Sequence, residues 1–302
     1  MISYALAFLA AIVNAVGDVL NRKASRDAPA NLAFRFKLFA DLLRRRAWIA
    51  AAVLMLASFI LAAAALGTGE LATVQLIVIL ELPLTLLGST LFLGGQLQAR
   101  DWTAIVAMTA GVIGLLVLIN PRPGHGVTVP AVVWLAGSAA NLAVIAGLYL
   151  AAKAQRRPAV RSALLGMASG FGYGLTAAFT KGMADQFTGQ GVGGVLSSWQ
   201  LYACGATGLV STWLLQNAYH AGTLAAAQPG ITLIDPVIAT VWGAVAFGEH
   251  VRQGWILVLA VLPLAALTAG VLALSRSPSW QRNEERPRVR REPSHRSRAS
   301  LP

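Results

Sequence analysis

The chain is nearly without cysteine and poor in charge, and its acidic side chains are scarcer still. One residue of 302 is cysteine, Cys204, and 12% are charged, with 12 acidic against 24 basic side chains. A lone cysteine in an apolar stretch excludes an intrachain disulfide and a cysteine metal cluster, and is expected to act as a small buried hydrophobe. Soluble domains carry roughly 25% charged residues, so this composition argues against one. No HExxH, P-loop, GxSxG or paired-cysteine pattern is present, and His125, His220, His250 and His295 are scattered over loops and the tail. Neither a cofactor, a firm metal site nor an enzyme active site is therefore expected.

What the chain has instead is apolar length. Hydrophobic residues make up 56%, and the mean hydropathy is +0.64. Runs of about 20 apolar residues, the length that crosses a bilayer, recur at 2–21, 47–66, 71–94, 102–119, 130–151, 161–182, 195–217, 223–247 and 255–274. The pattern predicts an all-α membrane protein of nine transmembrane helices. The first run has no basic stretch before it and a basic cluster after it, which favours a retained helix over a cleaved signal. An N-terminus outside and a C-terminus in the cytoplasm place 21 of the 24 Lys and Arg on the inner side, leaving Arg122, Lys181 and Arg252. That asymmetry sets orientation and accounts for the net charge of +12 without nucleic acid as a partner. Trp48, Trp102, Trp134, Trp199, Trp213 and Trp255 fall near the ends of runs, as an interfacial belt does. Segment 29–46, with Leu32, Phe36, Phe39 and Leu43 at helical spacing among charges, reads as an amphipathic helix on the inner leaflet. The tail 275–302, rich in Arg, Pro, Ser and Glu, is expected to be disordered. The lipid bilayer is thus the first partner implied. A bias to arginine and alanine fits a bacterial inner (plasma) membrane.

Two runs carry a carboxylate beside a proline at their centres, Glu81-Leu82-Pro83 and Ile234-Asp235-Pro236. An intramembrane charge is costly and normally faces a cavity or an ion path. Each proline removes a backbone donor, frees a carbonyl one turn earlier and kinks its helix. Superposing Pro83 on Pro236, an offset of 153, also aligns Gly69 with Gly222, Gln75 with Gln228, Gly95 with Gly248 and Trp102 with Trp255. The chain then divides as 4 + 1 + 4 spans: a first half 1–119, a linker helix 130–151 and a second half 161–274. Because five spans separate equivalent helices, the halves have opposite orientation, the inverted repeat of alternating-access carriers.

Other polar groups are candidates for a substrate or ion path. Asn14, Asp18 and Arg22 stand at i, i+4 and i+8 of the first helix, with an Asp18–Arg22 pair as the structural alternative to a gate. Gln75 and Gln228 either meet substrate or hydrogen-bond between helices. Lys181 ends the sixth run and either snorkels or meets an anionic group. Gly166, Gly170 and Gly174 form a small-residue strip for close helix packing, whether within the chain or in a homodimer.

The run Gly222-Thr-Leu-Ala-Ala-Ala-Gln-Pro-Gly, followed by Asp235-Pro236 and closed by Gly248-Glu249, resembles the penultimate helix of the drug/metabolite transporter superfamily (EamA-like). The nine-span plan with a basic loop after the first helix is similar to the NIPA-type magnesium transporter branch. There the similarity rests on Arg22-Lys23, Trp48 and the Ala-Leu-Gly…Leu-Ala-Thr-Val-Gln stretch at 65–75. The resemblance implies a carrier of a small metabolite or drug-like solute, or of Mg²⁺ held by Glu81 and Asp235. One departure is visible: Gly95-Gln96 stands where the second half has Gly248-Glu249. A non-transporting membrane scaffold is the alternative from another class.

Overall fold

The computed structural model describes residues 2–26, 46–93, 97–124, 129–222, 224–250, 252, 254 and 256–276. Segment 27–45 and the tail from 277 lie outside them, and with them nearly all of the expected amphipathic helix and disordered tail. The described residues are helical, and the only β-type pairing among them is an isolated bridge between Arg122 and His250.

Among the described residues eleven helices follow one another: α1 Ile2–Arg26, α2 Arg46–Thr68, α3 Leu71–Val78, α4 Glu81–Leu93, α5 Ala99–Ile119, α6 Ala131–Ala154, α7 Pro158–Ser197, α8 Trp199–Ala221, α9 Leu224–Val245, α10 Ile256–Leu259 and α11 Val261–Ser275. Among the described residues five stretches are long and apolar enough to cross a membrane: Ile2–Leu20, Ile49–Thr68, Leu71–Gly88, Ala99–Ile119 and Ala131–Ala154. They coincide with the first five apolar runs of the sequence. All but Leu71–Gly88 are left mostly uncovered by the rest of the chain: only 22% of the α2 window and 17% of the α6 window is buried. Exposed Val53, Leu56, Phe59 and Ile60 on α2, and Val132, Leu135 and Leu142 on α6, would meet water in a soluble protein. A bilayer removes that penalty.

Each packing contact has a local cause. α1 lies along α2 and also against α3 and α4, while α7 lies along α8 and α9. The glycine strip of α7 is spent on the second of these contacts. A Cβ at Gly170 would sit 2.7 Å from the Gly230 carbonyl oxygen and 2.9 Å from Ile234 Cβ, and one at Gly166 would strike the Ala227 carbonyl. Gly174 likewise accepts Ile238. The strip therefore packs within the chain. α5 and α11 approach one another through Gly111, Gly114 and Gly270, against Leu267, Pro263 and Met108. α3 meets α9 across the centre of the bundle.

Two stretches depart from the expected pattern. The run 71–94 is not one helix: α3 stops at Val78 and α4 begins at Glu81. Pro83 has no N–H to give the Ile79 carbonyl, and the Leu82 N–H donates to that oxygen at 3.2 Å instead, tightening the turn. α9, by contrast, runs through Pro229 and Pro236 without interruption. The second stretch is 183–194, expected as a loop between runs. There α7 continues as helix to Ser197, broken only at Gly191, whose φ of 65° is open to glycine.

Trp134 is also not an interfacial side chain. It is buried, stacked on Trp242 (5.3 Å) and Phe179 (5.5 Å), with Trp199 and Phe247 edge-on. A ring with this much apolar area finds four aromatic partners from α7, α8, α9 and the loop beyond, and joins α6 to all of them. Trp102 and Trp213 remain about half exposed.

Candidate functional site

The break between α3 and α4 sets up the site. It leaves Glu81 at the first turn of α4, where the helix N-terminus favours a negative charge. Its Oε2 accepts a hydrogen bond from Asn14 Nδ2 of α1 at 2.7 Å. Asp18, one turn further along α1, and Asp235 of α9 are both near enough to act electrostatically on Glu81. Tyr173 of α7 feels both Glu81 and Asp235, and its hydroxyl shares a 3.1 Å hydrogen bond with Thr212 Oγ1. Asp235 Oδ1 is buried with no hydrogen-bond partner. Four of the sequence candidates, Asn14, Asp18, Glu81 and Asp235, thus converge from three helices on one polar centre. Pro83 adjoins it by shaping the turn, and Pro236 by following Asp235 on the opposite helix. Among the described residues no three His, Cys, Asp or Glu side chains are grouped closely enough to hold a metal ion.

The other candidates lie elsewhere. Gln228 Oε1 accepts from the Tyr219 hydroxyl at 3.3 Å, a helix-to-helix bond beside the α8–α9 turn. Gln75 is half-buried on α3, six residues before Glu81. The side chain of Arg22 falls outside what the structure describes, so the expected Asp18–Arg22 pair does too.

Lys181 does not snorkel to a free surface. Its Nζ donates to the carbonyl oxygens of Gly69 (2.7 Å) and Leu66 (3.1 Å), pairs with Glu249 Oε1 at 3.4 Å, and lies 5.3 Å over the Phe247 ring. The last turn of α2 and the corner after it present those carbonyls because a C-terminal turn leaves them unpaired. Glu249 completes the arrangement from the far end of the chain. Its Oε1 accepts the Leu71 N–H at 2.6 Å and its Oε2 the Ala72 N–H at 3.4 Å, serving the unpaired donors at the start of α3. Burial pushes the Glu249 carboxyl up, opposed by the Lys181 charge and these two N–H groups. Asp185, one turn beyond Lys181, is likewise raised by burial and partly lowered by Lys181.

The next residues tie the same loop to a third place. Arg122 and His250 exchange backbone hydrogen bonds of 2.9 and 3.1 Å, and the Arg252 N–H donates to the Ile119 carbonyl at 2.9 Å. Glu249, His250 and Arg252 thereby fasten the α2–α3 corner, Lys181 of α7 and the start of the α5–α6 loop to one another at one end of the bundle. Glu249 was visible in sequence only as the acid that breaks the match with Gln96. Its part is set by partners 178 residues away.

Comparison with known proteins adds breadth and no activity. No family model matches the chain, and no solved structure matches it. An uncharacterised protein of Corynebacterium glutamicum is 26% identical over 289 residues, covering 95% of this chain and 99% of that protein. The likeness thus runs over the apolar helices and both polar clusters alike.

Proposed function

We propose that this chain is a secondary-active carrier of nine spans, moving a small metabolite or drug-like solute by alternating access across a bacterial inner membrane. One observation carries the reading: carboxylates from different helices, Glu81 with Asn14 and Asp18 on one side and Asp235 on the other, gather at the centre of an apolar bundle. A buried acidic centre is retained against its cost where an ion or substrate uses it.

The packing supports an inverted repeat. α1 with α2 and α3–α4 repeats as α7 with α8 and α9, while α3 meets α9 and α5 meets α11, the pairings of equivalents across a two-fold axis. Helix direction alternates along the chain: Ser3 abuts Gly69, and Asn120, Trp134, Lys181 and Phe247 share their end. Positive-inside bias makes this the outer end. The Lys181–Glu249 pair then closes the outer side, and the carboxylate centre would be reached from within.

A divalent-cation carrier is the second reading, favoured by Asp18 and Asp235 both acting electrostatically on Glu81. With no group of three ligands brought together, Mg²⁺ would keep most of its waters. Purified protein in proteoliposomes distinguishes these readings, using a solute panel with and without a pH gradient, and Mg²⁺. For a proton-coupled carrier, Glu81→Gln or Asp235→Asn abolishes dependence on the gradient while exchange of solute persists. For a magnesium carrier either change weakens Mg²⁺ transport at every pH. Wild-type transport that neither variant alters makes the carboxylates structural, and no transport of any tested solute favours a scaffold.

A further inference from the structure

Of the three basic residues that the orientation leaves at the outer end, Lys181 is held by carbonyls and Glu249. The other two meet in one place. Arg122 and Arg252 line a cleft of about 270 Å³ together with His250 and Asn120. The backbone puts them there. Arg122 and His250 stand opposite each other in an antiparallel bridge, which turns both side chains to one face. Arg252 is held beside them by its N–H bond to the Ile119 carbonyl. Arg122, His250 and Arg252 are all exposed, so a ligand can reach them.

Neither guanidinium pairs with a carboxylate among the described residues, and Glu249, the acid of the same loop, is turned to Lys181 and the start of α3. Positive-inside bias disfavours arginine at this end, so two in one cleft need another cause. An arginine presents a planar fork of donors that meets an oxyanion with two bonds at once. Two such forks and the Asn120 amide bring more donors than the roughly four lone-pair sites of a carboxylate take up. A phosphate group has more acceptor oxygens to offer them.

Size and depth agree with such a group. The cleft falls below the roughly 300–1,000 Å³ of a pocket for a drug-sized ligand, and so suits a single head group rather than a whole solute. α5 has 21 residues, about 31 Å at 1.5 Å per residue, which matches a hydrocarbon core of about 30 Å. Asn120 follows it directly, at the level of the lipid head groups. Just inside that level Val117 of α5 and Val258 of α10 are exposed, a surface on which an acyl chain can lie. We propose that Arg122, Arg252, His250 and Asn120 form a binding site for a phosphate group, carried by a phospholipid or by a free phosphate anion. Its place at the outer leaflet rests on the orientation proposed above, and its binding chemistry does not.

The test uses the full chain, delipidated in dodecyl maltoside, where both ends meet solvent. Calorimetric titration with dioctanoyl phosphatidylglycerol is expected to show a saturable site that dioctanoylglycerol, with the same chains and no phosphate, does not fill. Arg122→Gln or Arg252→Gln should weaken it about 10- to 100-fold, as loss of charge-assisted hydrogen bonds does. Arg122→Lys should recover only part, because an ammonium keeps the charge without the fork. Arg156→Gln with Arg157→Gln, at the opposite end of α6, should change nothing, which separates this site from the basic loop there. An unchanged thermal midpoint without ligand certifies the fold of each variant. Inorganic phosphate at constant ionic strength tells the sources apart: displacement at concentrations like the lipid's marks the free anion as ligand, and displacement only far above them marks the lipid. Absence of saturable binding by either probe overturns the proposal. So does binding that dioctanoylglycerol matches, or that both arginine-to-glutamine changes leave intact. Binding that survives while reporter fusions reverse the topology would overturn the orientation and uphold the site.

Discussion

Replacing Lys181 by Met should open the end of the bundle that its ammonium closes. The substitution keeps most of the stem and deletes two hydrogen bonds to the Gly69 and Leu66 carbonyls, the ion pair to Glu249 and the contact with Phe247. Both side chains are shielded, 12% exposed for Lys181 and 2% for Glu249. Removing one partner of a buried pair costs about 3–5 kcal/mol, chiefly because the other charge is left unpaired. The Leu71 and Ala72 N–H groups still serve Glu249, which puts the cost at the low end, about 3 kcal/mol. At 1.4 kcal/mol per factor of ten, the open form gains roughly 100-fold.

A cysteine at Ala184 reports that gain. Ala184 is 8% exposed and lies across the α2–α7 seam, 3.2 Å from where a Gly67 Cβ would be. In a Cys204→Ala background, an impermeant thiol reagent should label Ala184→Cys roughly 100-fold faster once Lys181 is Met. Adding Glu249→Gln should recover most of the difference, because it removes the stranded charge and keeps an acceptor for Leu71. A rate within twofold of the parent would refute the idea that this pair holds the end closed. A double variant as open as the single one would refute the assignment of the cost to Glu249.

The raised Glu249 carboxyl gives closure a pH dependence of fixed sign. The closed form binds a proton more readily than the solvated open form, so closure is fully favoured below the ordinary glutamate value of 4.5 and weakens as pH rises through the raised value. Labelling of Ala184→Cys should accelerate over that rise, and Glu249→Gln should flatten its Glu249-dependent part; an opposite slope would reverse the balance of burial over ion pairing. Reporter fusions after Asn120 and Asn283 should give external and cytoplasmic signals respectively, and the reverse pair would overturn the nine-span orientation. Gly170→Ala should lower the thermal midpoint at a cost of about 1–3 kcal/mol, the range for overpacking, because the Gly230 carbonyl lies 2.7 Å from the new Cβ; an unchanged midpoint would mean that α9 yields freely.

Residues whose meaning depends on their own segment were legible in the sequence, and those defined by distant partners were not. The helical class and the positions of the first apolar spans follow from runs long enough to cross a bilayer. Glu81 and Asp235 stand out because each is an acid amid apolar neighbours. Glu249 has no such contrast: it ends a helix in a short polar loop, and becomes a cap only once α3 and Lys181 arrive from 178 and 68 residues away. Arg122 and Arg252 look like two stray loop cations until the bridge to His250 brings them to one cleft.

The two prolines show why one motif in sequence yields two backbones. Pro83 and Pro236 each follow a carboxylate near the middle of an apolar run, yet only the first run is broken into two helices. α9 is held along its length by the α7 glycine strip, with Ala227, Gly230, Ile234 and Ile238 all seated on Gly166, Gly170 or Gly174. Contact spread over three turns favours keeping α9 straight enough to continue past a missing hydrogen bond. The α3–α4 run is held differently: Glu249 fixes its start, and α1 reaches across with Asn14 to take hold of Glu81 just after the turn. Anchors at those two points leave the backbone between them, Ile79 and Leu80, free to adopt the tighter turn that Pro83 favours. The broken helix of the first half and the continuous helix of the second thus make the paired acids unequal, with Glu81 at a helix start and hydrogen-bonded, and Asp235 within a helix with an oxygen unpartnered.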